Sequence, residues 1–176
     1  MQRTIWTIGH SNRAINDFIS LLKSFNISIV ADIRSYPGSR KYPHFNKDEL
    51  QNSLKHQGIS YVHLKELGGR RKPVQNSANT AWRNDVFRGF ADYMQTDEFR
   101  KAAKELEKIA ALQRTAYMCS EAVWWSCHRS LVSDYLKLNG WRVEHIMSEG
   151  KAIEHPYTKP ARIVNGELHY DEPALF

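Results

Sequence analysis

Side chains that can carry out nucleophilic or acid–base chemistry are concentrated in residues 119–129 and near the amino terminus. Cys127 and His128 fall at the start of a predicted helix, where the helix N-terminus stabilises a thiolate and lowers the pKa of the cysteine. His128 and His10 can act as acid or base, because imidazole titrates near neutral pH. Glu121 can orient a histidine or act as the base itself. The candidate catalytic residues are therefore His10, Glu121, Cys127 and His128.

Cys119 and Cys127 are the two cysteines of the chain, and seven residues separate them. That spacing is no recognised zinc pattern, so the sequence predicts no metal site. Cys119 can equally well pack as a small hydrophobic side chain. No secretory leader is visible, and secreted disulfide-rich domains carry more cysteines, so we expect a cytoplasmic protein with reduced thiols. The nucleophile elbow of serine hydrolases and the Cys-x5-Arg loop of tyrosine phosphatases are both missing, so no reaction is indicated.

A second set of residues suits the binding of an anion. Arginine presents a planar fork of donors that matches carboxylate or phosphate, and paired glycines let a backbone approach a ligand closely. The Gly-Gly-Arg-Arg segment has the spacing of neither a Walker loop nor a dinucleotide fingerprint, so no cofactor is implied. The candidate substrate-binding residues are Ser11, Asp32, Arg34, Arg40, Gly68, Gly69, Arg70, Arg71, Arg88, Cys119 and Arg129.

The composition is that of an ordinary globular protein with a basic excess. The 176 residues are 41% hydrophobic and carry a formal net charge of +6, which favours an acidic partner such as a nucleotide, a nucleic acid or another phosphorylated molecule. The charge can alternatively serve solubility alone. The apolar runs are too short to span a bilayer, so no membrane association is expected. The sequence gives no indication of an oligomeric state.

Short β-branched runs alternate with amphipathic helical patterns along the chain. This alternation predicts an α/β fold with a mostly parallel sheet of about five strands and helices on its faces. We expect a single domain over 1–176, with a compact core at 4–147 and a C-terminal extension at 148–176. That extension holds a short hairpin or an irregular tail, and the hairpin turns at Asn165-Gly166. The predicted strands are 4–8, 27–33, 59–64, 115–118 and 141–147.

Polar or reactive groups follow four of these predicted strands. Because parallel strands place their carboxyl ends at one edge of the sheet, the groups are expected to share a ligand site there. Aromatic residues accompany them, at Trp124 and Trp125 and in the proline-containing loop 35–43 and just after it. These aromatic rings can either stack on bases or cover the edge of the core.

Several motifs together resemble a known family. They are Thr7-Ile8-Gly9-His10-Ser11, Asp32-Ile33-Arg34, Leu67-Gly68-Gly69-Arg70-Arg71, the segment Phe87–Met94, and Met118-Cys119-Ser120-Glu121 with Cys127-His128-Arg129. In this order they closely resemble the domain-of-unknown-function family four-eight-eight, with Phe90 where tyrosine is expected. The resemblance implies a small prokaryotic α/β protein but no reaction. It also implies one shared site containing His10, Arg34, Arg70, Arg71, Arg88, Glu121, Cys127, His128 and Arg129.

Three functions follow as hypotheses. The first is an enzyme that acts on a phosphorylated or nucleotide-like small molecule by histidine, glutamate and cysteine chemistry. The second is a basic protein that binds DNA or RNA or processes its bases. The third is a thiol redox or metal-binding role for the two cysteines.

Overall fold

The β-branched segments form one six-stranded sheet in the computed structural model, which describes residues 2–173. The strands are β1 (Thr4–Gly9), β2 (Ile29–Asp32), β3 (Ser60–His63), β4 (Thr115–Cys119), β5 (Arg142–Ser148) and β6 (Lys151–Glu154). Their order across the sheet is β3-β2-β4-β1-β5-β6. Strands β1 to β5 are parallel, and β6 runs antiparallel to β5. The predicted α/β fold with a mostly parallel sheet is therefore confirmed.

Five α-helices cover the two faces of this sheet. They are α1 (Ile15–Ser24), α2 (Lys47–His56), α3 (Asp85–Tyr93), α4 (Asp97–Leu112) and α5 (Arg129–Leu138). Buried side chains of α1 and α2 pack on one face, and those of α3, α4 and α5 pack on the other. The connections after β1 and β4 therefore leave toward opposite faces, although these two strands are neighbours. A crevice must open between them at their carboxyl ends, which is where doubly wound folds bind ligands.

The C-terminal extension contributes more regular structure than the sequence indicated. Strand β6 extends the sheet, and β7 (Arg162–Val164) and β8 (Glu167–His169) form the predicted hairpin. Asn165 and Gly166 have positive φ angles of 51° and 80°, as a two-residue hairpin turn of this kind requires. Sequence signals for β6 were weak because its burial pattern is almost entirely exposed.

Helices α1 and α2 begin without a side-chain cap. Helix α1 begins at Ile15, and no side chain caps it. Asn46 does precede α2, but its side chain accepts a hydrogen bond from the Ser39 backbone at 2.5 Å instead of capping the helix. The side chain therefore closes the proline-containing loop, because that competing backbone donor lies within its reach.

The long segment that leads from residue 68 to α3 is held by one buried carboxylate, Asp92. It accepts hydrogen bonds from the Val74 backbone at 2.9 Å, the Ser77 hydroxyl at 2.5 Å and the Asn79 amide at 2.7 Å. The backbone of Ala81 further donates to the Tyr170 carbonyl, which joins the segment to the C-terminal extension. The segment lacks helices and strands between residues 70 and 84, yet its polar groups converge on a fixed anchor.

We expect Asp92→Ala to release this segment and lower the free energy of unfolding by about 2–3 kcal/mol, because three donors lose a charged partner. Limited proteolysis should then cut within residues 70–84, and urea denaturation should report the loss of stability. Asp97→Ala is the matched control, since the Asp97 side chain is exposed and pairs only with Arg100. Equal behaviour of the two variants would contradict the anchoring role.

A chain of buried polar side chains joins the extension to the centre of the sheet. Thr7 Oγ1 lies 2.6 Å from His145 Nδ1, His145 Nε2 lies 2.8 Å from His155 Nδ1, and His155 Nε2 lies 2.8 Å from Asp134. Asp134 also accepts hydrogen bonds from the Thr158 and Tyr170 hydroxyls. The Asp134 carboxylate can only accept, so His155 Nε2 must donate to it. All three hydrogen bonds then form if His145 Nε2 donates to His155 Nδ1 and the Thr7 hydroxyl donates to His145 Nδ1. Both histidines are neutral in that arrangement.

Candidate functional site

A cleft of about 780 Å³ lies at the carboxyl ends of the parallel strands. Residues that follow β1, β2 and β4 form its floor, and residues that follow β3 and those around the starts of α3 and α5 form its walls. All four predicted catalytic residues line it, namely His10, Glu121, Cys127 and His128. Of the predicted substrate-binding residues, Ser11, Arg34, Gly69, Arg70 and Cys119 line it too.

Arg34 is fixed at the floor of the cleft by a buried carboxylate. Its Nε and Nη2 atoms donate to Asp32 at 2.9 and 2.7 Å, and Nη2 also donates to the Phe45 carbonyl at 2.8 Å. Asp32 further accepts the Tyr61 hydroxyl at 2.6 Å, and burial together with the Asp32 charge raises the pKa of Tyr61. Asp32 therefore lies beneath the cleft and orients Arg34, leaving the Nη1 edge of the guanidinium toward His10.

His10 is held in one neutral form. Its Nδ1 lies 2.8 Å from the Ser11 carbonyl, to which it donates, and its Nε2 accepts from Arg34 Nη1 at 3.3 Å. The ring stacks on Phe45 with centroids 4.3 Å apart. Burial and the adjacent guanidinium lower the pKa of His10 to about 4. Because both nitrogens are engaged, His10 is placed to position Arg34 more readily than to accept a proton.

Cys127 lies immediately before α5, where backbone donors are unpaired. Its Sγ accepts a hydrogen bond from the Arg129 backbone at 3.3 Å and lies 3.7 Å from His128 Nδ1. His128 Nε2 lies 3.2 Å from the Ile33 carbonyl, which can only accept. Nε2 must therefore carry the hydrogen, so the lone pair on Nδ1 faces the sulfur. Burial lowers the pKa of His128 to about 4, and the ring is neutral near pH 7.

The sulfur atoms of Cys119 and Cys127 lie next to each other in the structure. Their Cα atoms are 7.5 Å apart, beyond the range of about 4.4–6.8 Å that disulfides span, so the two cysteines are juxtaposed and the expectation of reduced thiols stays a prediction. Cys119 ends β4, and the chain then loops back so that Cys127 meets it at the start of α5. The juxtaposition depends on the path of this loop, which residue spacing does not reveal.

Arg129 supports this loop from beneath. It is 2% exposed, and its Nη2 donates to the Glu121 and Ala122 carbonyls at 3.3 and 3.4 Å. Among residues 2–173, its Nε and Nη1 have no hydrogen-bond partner. Burial lowers the pKa of Arg129 to about 10, so the group still carries a positive charge near pH 7. Arg129 does not line the cleft.

Other predicted binding residues serve the scaffold. Arg71 lies 3.5 Å from the centre of the Tyr93 ring and donates to the Gly68 carbonyl, whereas Arg88 donates to the Trp82 carbonyl. Arg40, Gly68, Arg71 and Arg88 do not line the cleft.

The paired glycines are required by close packing within the protein. A Cβ atom on Gly68 would overlap Ser35, and one on Gly69 would overlap the His128 ring. The sequence predicted that the glycine backbone would allow a close approach. In the structure, the groups that approach it closely are the side chains of Ser35 and His128. Gly69 in particular fixes the space in which the His128 ring lies.

Sequence reasoning missed several contributors to the cleft. Phe45 stacks on His10, Tyr61 holds Asp32, and Asn84 and Phe87 line the wall at the start of α3. Asn84 carried a readable signal, because it caps α3 by accepting from the Val86 and Phe87 backbones.

The buried neutral histidines make stability depend on pH. The pKa values of His10 and His128 are lowered to about 4 and that of His145 to about 2, each chiefly by burial. As the pH falls below 6.5, the unfolded chain therefore takes up protons that the folded chain does not. We expect stability to decrease from about pH 6.5 to about pH 5, by up to about 1.4 kcal/mol per pH unit for each histidine. Urea denaturation across this range measures it, and a flat profile would contradict the prediction.

A family model described as "Domain of unknown function DUF488" matches residues 14–136, which is more than half of the chain. The chain belongs to the DUF488 family. No curated protein and no solved structure matches it. The match begins after β1 and ends within α5, so the DUF488 region contains Arg34, Arg70, both cysteines and His128, whereas β5 and the extension lie beyond it.

Among residues 2–173 of the DUF488 chain, no helix combines the length and the apolar character needed to cross a bilayer. Within the same residues, no group of three or more histidine, cysteine or acidic side chains is arranged to hold a metal ion.

Proposed function

We propose that this protein is an enzyme that uses Cys127 as a nucleophile on a phosphorylated or nucleotide-like small molecule. One observation carries the proposal: the Cys127 sulfur lies between the Arg129 backbone N–H and His128 Nδ1, in the wall of a cleft that also contains arginines. A thiol becomes a strong nucleophile when an adjacent base removes its proton and positive groups stabilise the thiolate.

The chemistry starts from the thiol form of Cys127. Its proton passes to His128 Nδ1 as the sulfur attacks, and the Ile33 carbonyl keeps the ring oriented through Nε2. The developing thiolate is stabilised by the Arg129 N–H at the start of α5. The sulfur attacks the electrophilic atom of the substrate, and the leaving group takes a proton from His128. In this proposal Glu121, which is exposed and lines the cleft, activates the water that releases the product.

Arg34 and Arg70 supply the anion-binding groups of this proposal. Arg34 is rigid, because Asp32 and the Phe45 carbonyl hold it, whereas Arg70 is exposed at the mouth of the cleft. A rigid guanidinium at the floor costs little entropy when a phosphate binds.

The test combines ligand binding with detection of a covalent adduct. Reduced protein is screened by thermal shift against nucleoside monophosphates, sugar phosphates and pyrophosphate, since a ligand of the native state raises the melting temperature. For any compound that raises the melting temperature, Arg34→Gln should abolish that increase. Arg83→Gln is the control, because Arg83 is exposed. Mass spectrometry then seeks an adduct on Cys127. The absence of any phosphate-dependent shift would contradict the proposal.

Thiol–disulfide exchange is a second candidate, favoured by the juxtaposition of the two sulfurs within the cleft. The candidates differ in their need for Cys119. Exchange requires both thiols, whereas nucleophilic transfer requires Cys127 alone. Retention of adduct formation and turnover in Cys119→Ser favours transfer, whereas accumulation of an unresolved mixed disulfide on Cys127 in that variant favours exchange.

A further inference from the structure

The mouth of the cleft carries aromatic rings that the proposed chemistry does not use. Tyr36 follows β2, lines the cleft and is 64% exposed. Trp125 is 55% exposed and precedes Ser126, which lines the cleft on the β4–α5 side. Burial of a large aromatic ring is energetically favourable. Two rings that remain exposed to solvent beside one cleft therefore suggest a partner that covers them.

Two cations accompany the Tyr36 ring. The Arg70 guanidinium carbon lies 5.3 Å from the ring centre, and the Lys65 amine lies 5.7 Å from it. Both side chains are exposed, and among residues 2–173 neither forms an ion pair with a carboxylate. They therefore retain the capacity to bind phosphate next to an aromatic surface.

A comparable arrangement elsewhere in the chain lacks this capacity. The Lys137 amine lies 5.4 Å from the Tyr157 ring centre, but it donates to the His155 carbonyl and pairs with Glu154 at 3.5 Å. The cation beside Tyr157 is thus already satisfied within the protein, whereas those beside Tyr36 are not.

We propose, resting on the function proposed above, that the cleft takes one nucleotide of a single-stranded nucleic acid whose neighbouring bases stack on Tyr36 and Trp125. Stacking on aromatic rings combined with cations along the backbone is the usual means of binding single strands. The net charge of +6 provides long-range attraction for such a polyanion. The rings lie on the loops that follow β2 and β4, which are neighbouring strands of the sheet, so we expect one strand of nucleic acid to reach both.

The test compares polymer with monomer. Reduced protein is titrated with fluorescein-labelled oligothymidylate and oligouridylate, and unlabelled thymidine and uridine monophosphates are used as competitors. We expect an oligonucleotide to bind at least about tenfold more tightly than its monomer, because stacked neighbours each add about 1–3 kcal/mol. Tyr36→Ala and Trp125→Ala should each weaken oligonucleotide binding by about fivefold to a hundredfold, and this loss should exceed any change in the affinity for the monomer.

Controls separate stacking from simple charge attraction. Tyr157→Ala is the control for Tyr36→Ala, because it also removes a tyrosine that lies beside a cation. Leu112→Ala is the control for Trp125→Ala, because Leu112 is an exposed apolar residue (85%) that does not line the cleft. If Arg70 contacts one phosphate, Arg70→Gln should make the plot of log affinity against log salt concentration less steep, by roughly 0.7 in slope. Competition by poly-glutamate as strong as that by the oligonucleotide would overturn the proposal.

The outcomes also separate this inference from the proposed function. Equal affinity for monomer and oligonucleotide, or Tyr36 and Trp125 variants that behave like the controls, would overturn the single-strand proposal. A phosphate-dependent thermal shift and a Cys127 adduct would still support the small-molecule enzyme in that case. Preferential oligonucleotide binding that depends on both rings supports the inference, whether or not the adduct forms.

Discussion

His155→Ala is expected to lower the free energy of unfolding by about 3–5 kcal/mol, because the buried Asp134 carboxylate loses one of its hydrogen-bond donors and a buried donor of His145 loses its acceptor. His155 and Asp134 are both buried, and their side chains meet at 2.8 Å. Loss of the ring also removes the partner of His145 Nε2, so a neutral buried donor is stranded. The Asp134 carboxylate keeps only its hydroxyl and backbone donors. Urea denaturation of the reduced protein at pH 7 measures the change.

His169→Ala is the control for this experiment, because its half-exposed side chain lies 3.8 Å from Glu167 on the C-terminal hairpin. Its effect should stay below about 1 kcal/mol. If His155→Ala does not fold at all, Asp134→Asn provides a milder test, since it keeps the shape and removes the charge. If His155→Ala and Asp134→Asn each lower the free energy of unfolding by less than about 1 kcal/mol, the chain of buried polar side chains contributes little to stability.

Reduced protein is expected to react with iodoacetamide at Cys127, and His128→Asn is expected to slow that reaction by about tenfold to a hundredfold near pH 7. The reason is the 3.7 Å contact between Cys127 Sγ and His128 Nδ1, which gives the thiol proton a nearby acceptor. The sulfur additionally accepts from the Arg129 backbone, so the thiolate is stabilised at the start of α5. Alkylation rates across a pH series give the pKa of the thiol.

Three controls make the alkylation experiment specific. Cys127→Ser should abolish the fast reaction, whereas Cys119→Ser should retain it. His56→Asn replaces an exposed histidine on α2 and should leave the rate unchanged. A Cys127 that titrates like an ordinary thiol, with a rate insensitive to His128, would remove the activation on which the proposed function depends.

The sequence by itself determined the order of elements and the edge of the sheet at which the site lies. Alternating β-branched runs and amphipathic helices specify parallel strands, and parallel strands bring their carboxyl ends together. Local chemistry also fixed the hairpin turn, because Asn165 and Gly166 tolerate positive φ. These features depend on residues that are neighbours in the chain, so a linear pattern can encode them.

The tertiary structure alone decided which side chains face the cleft and in what chemical state. Arg34 and Arg71 were both predicted to bind the ligand, yet Asp32 holds Arg34 at the floor of the cleft, whereas Arg71 lies on the Tyr93 ring and does not line the cleft. The juxtaposition of Cys119 with Cys127 follows from the path of the loop between them. These outcomes depend on contacts between residues distant in sequence and on burial, and both arise only once the strands have found their neighbours.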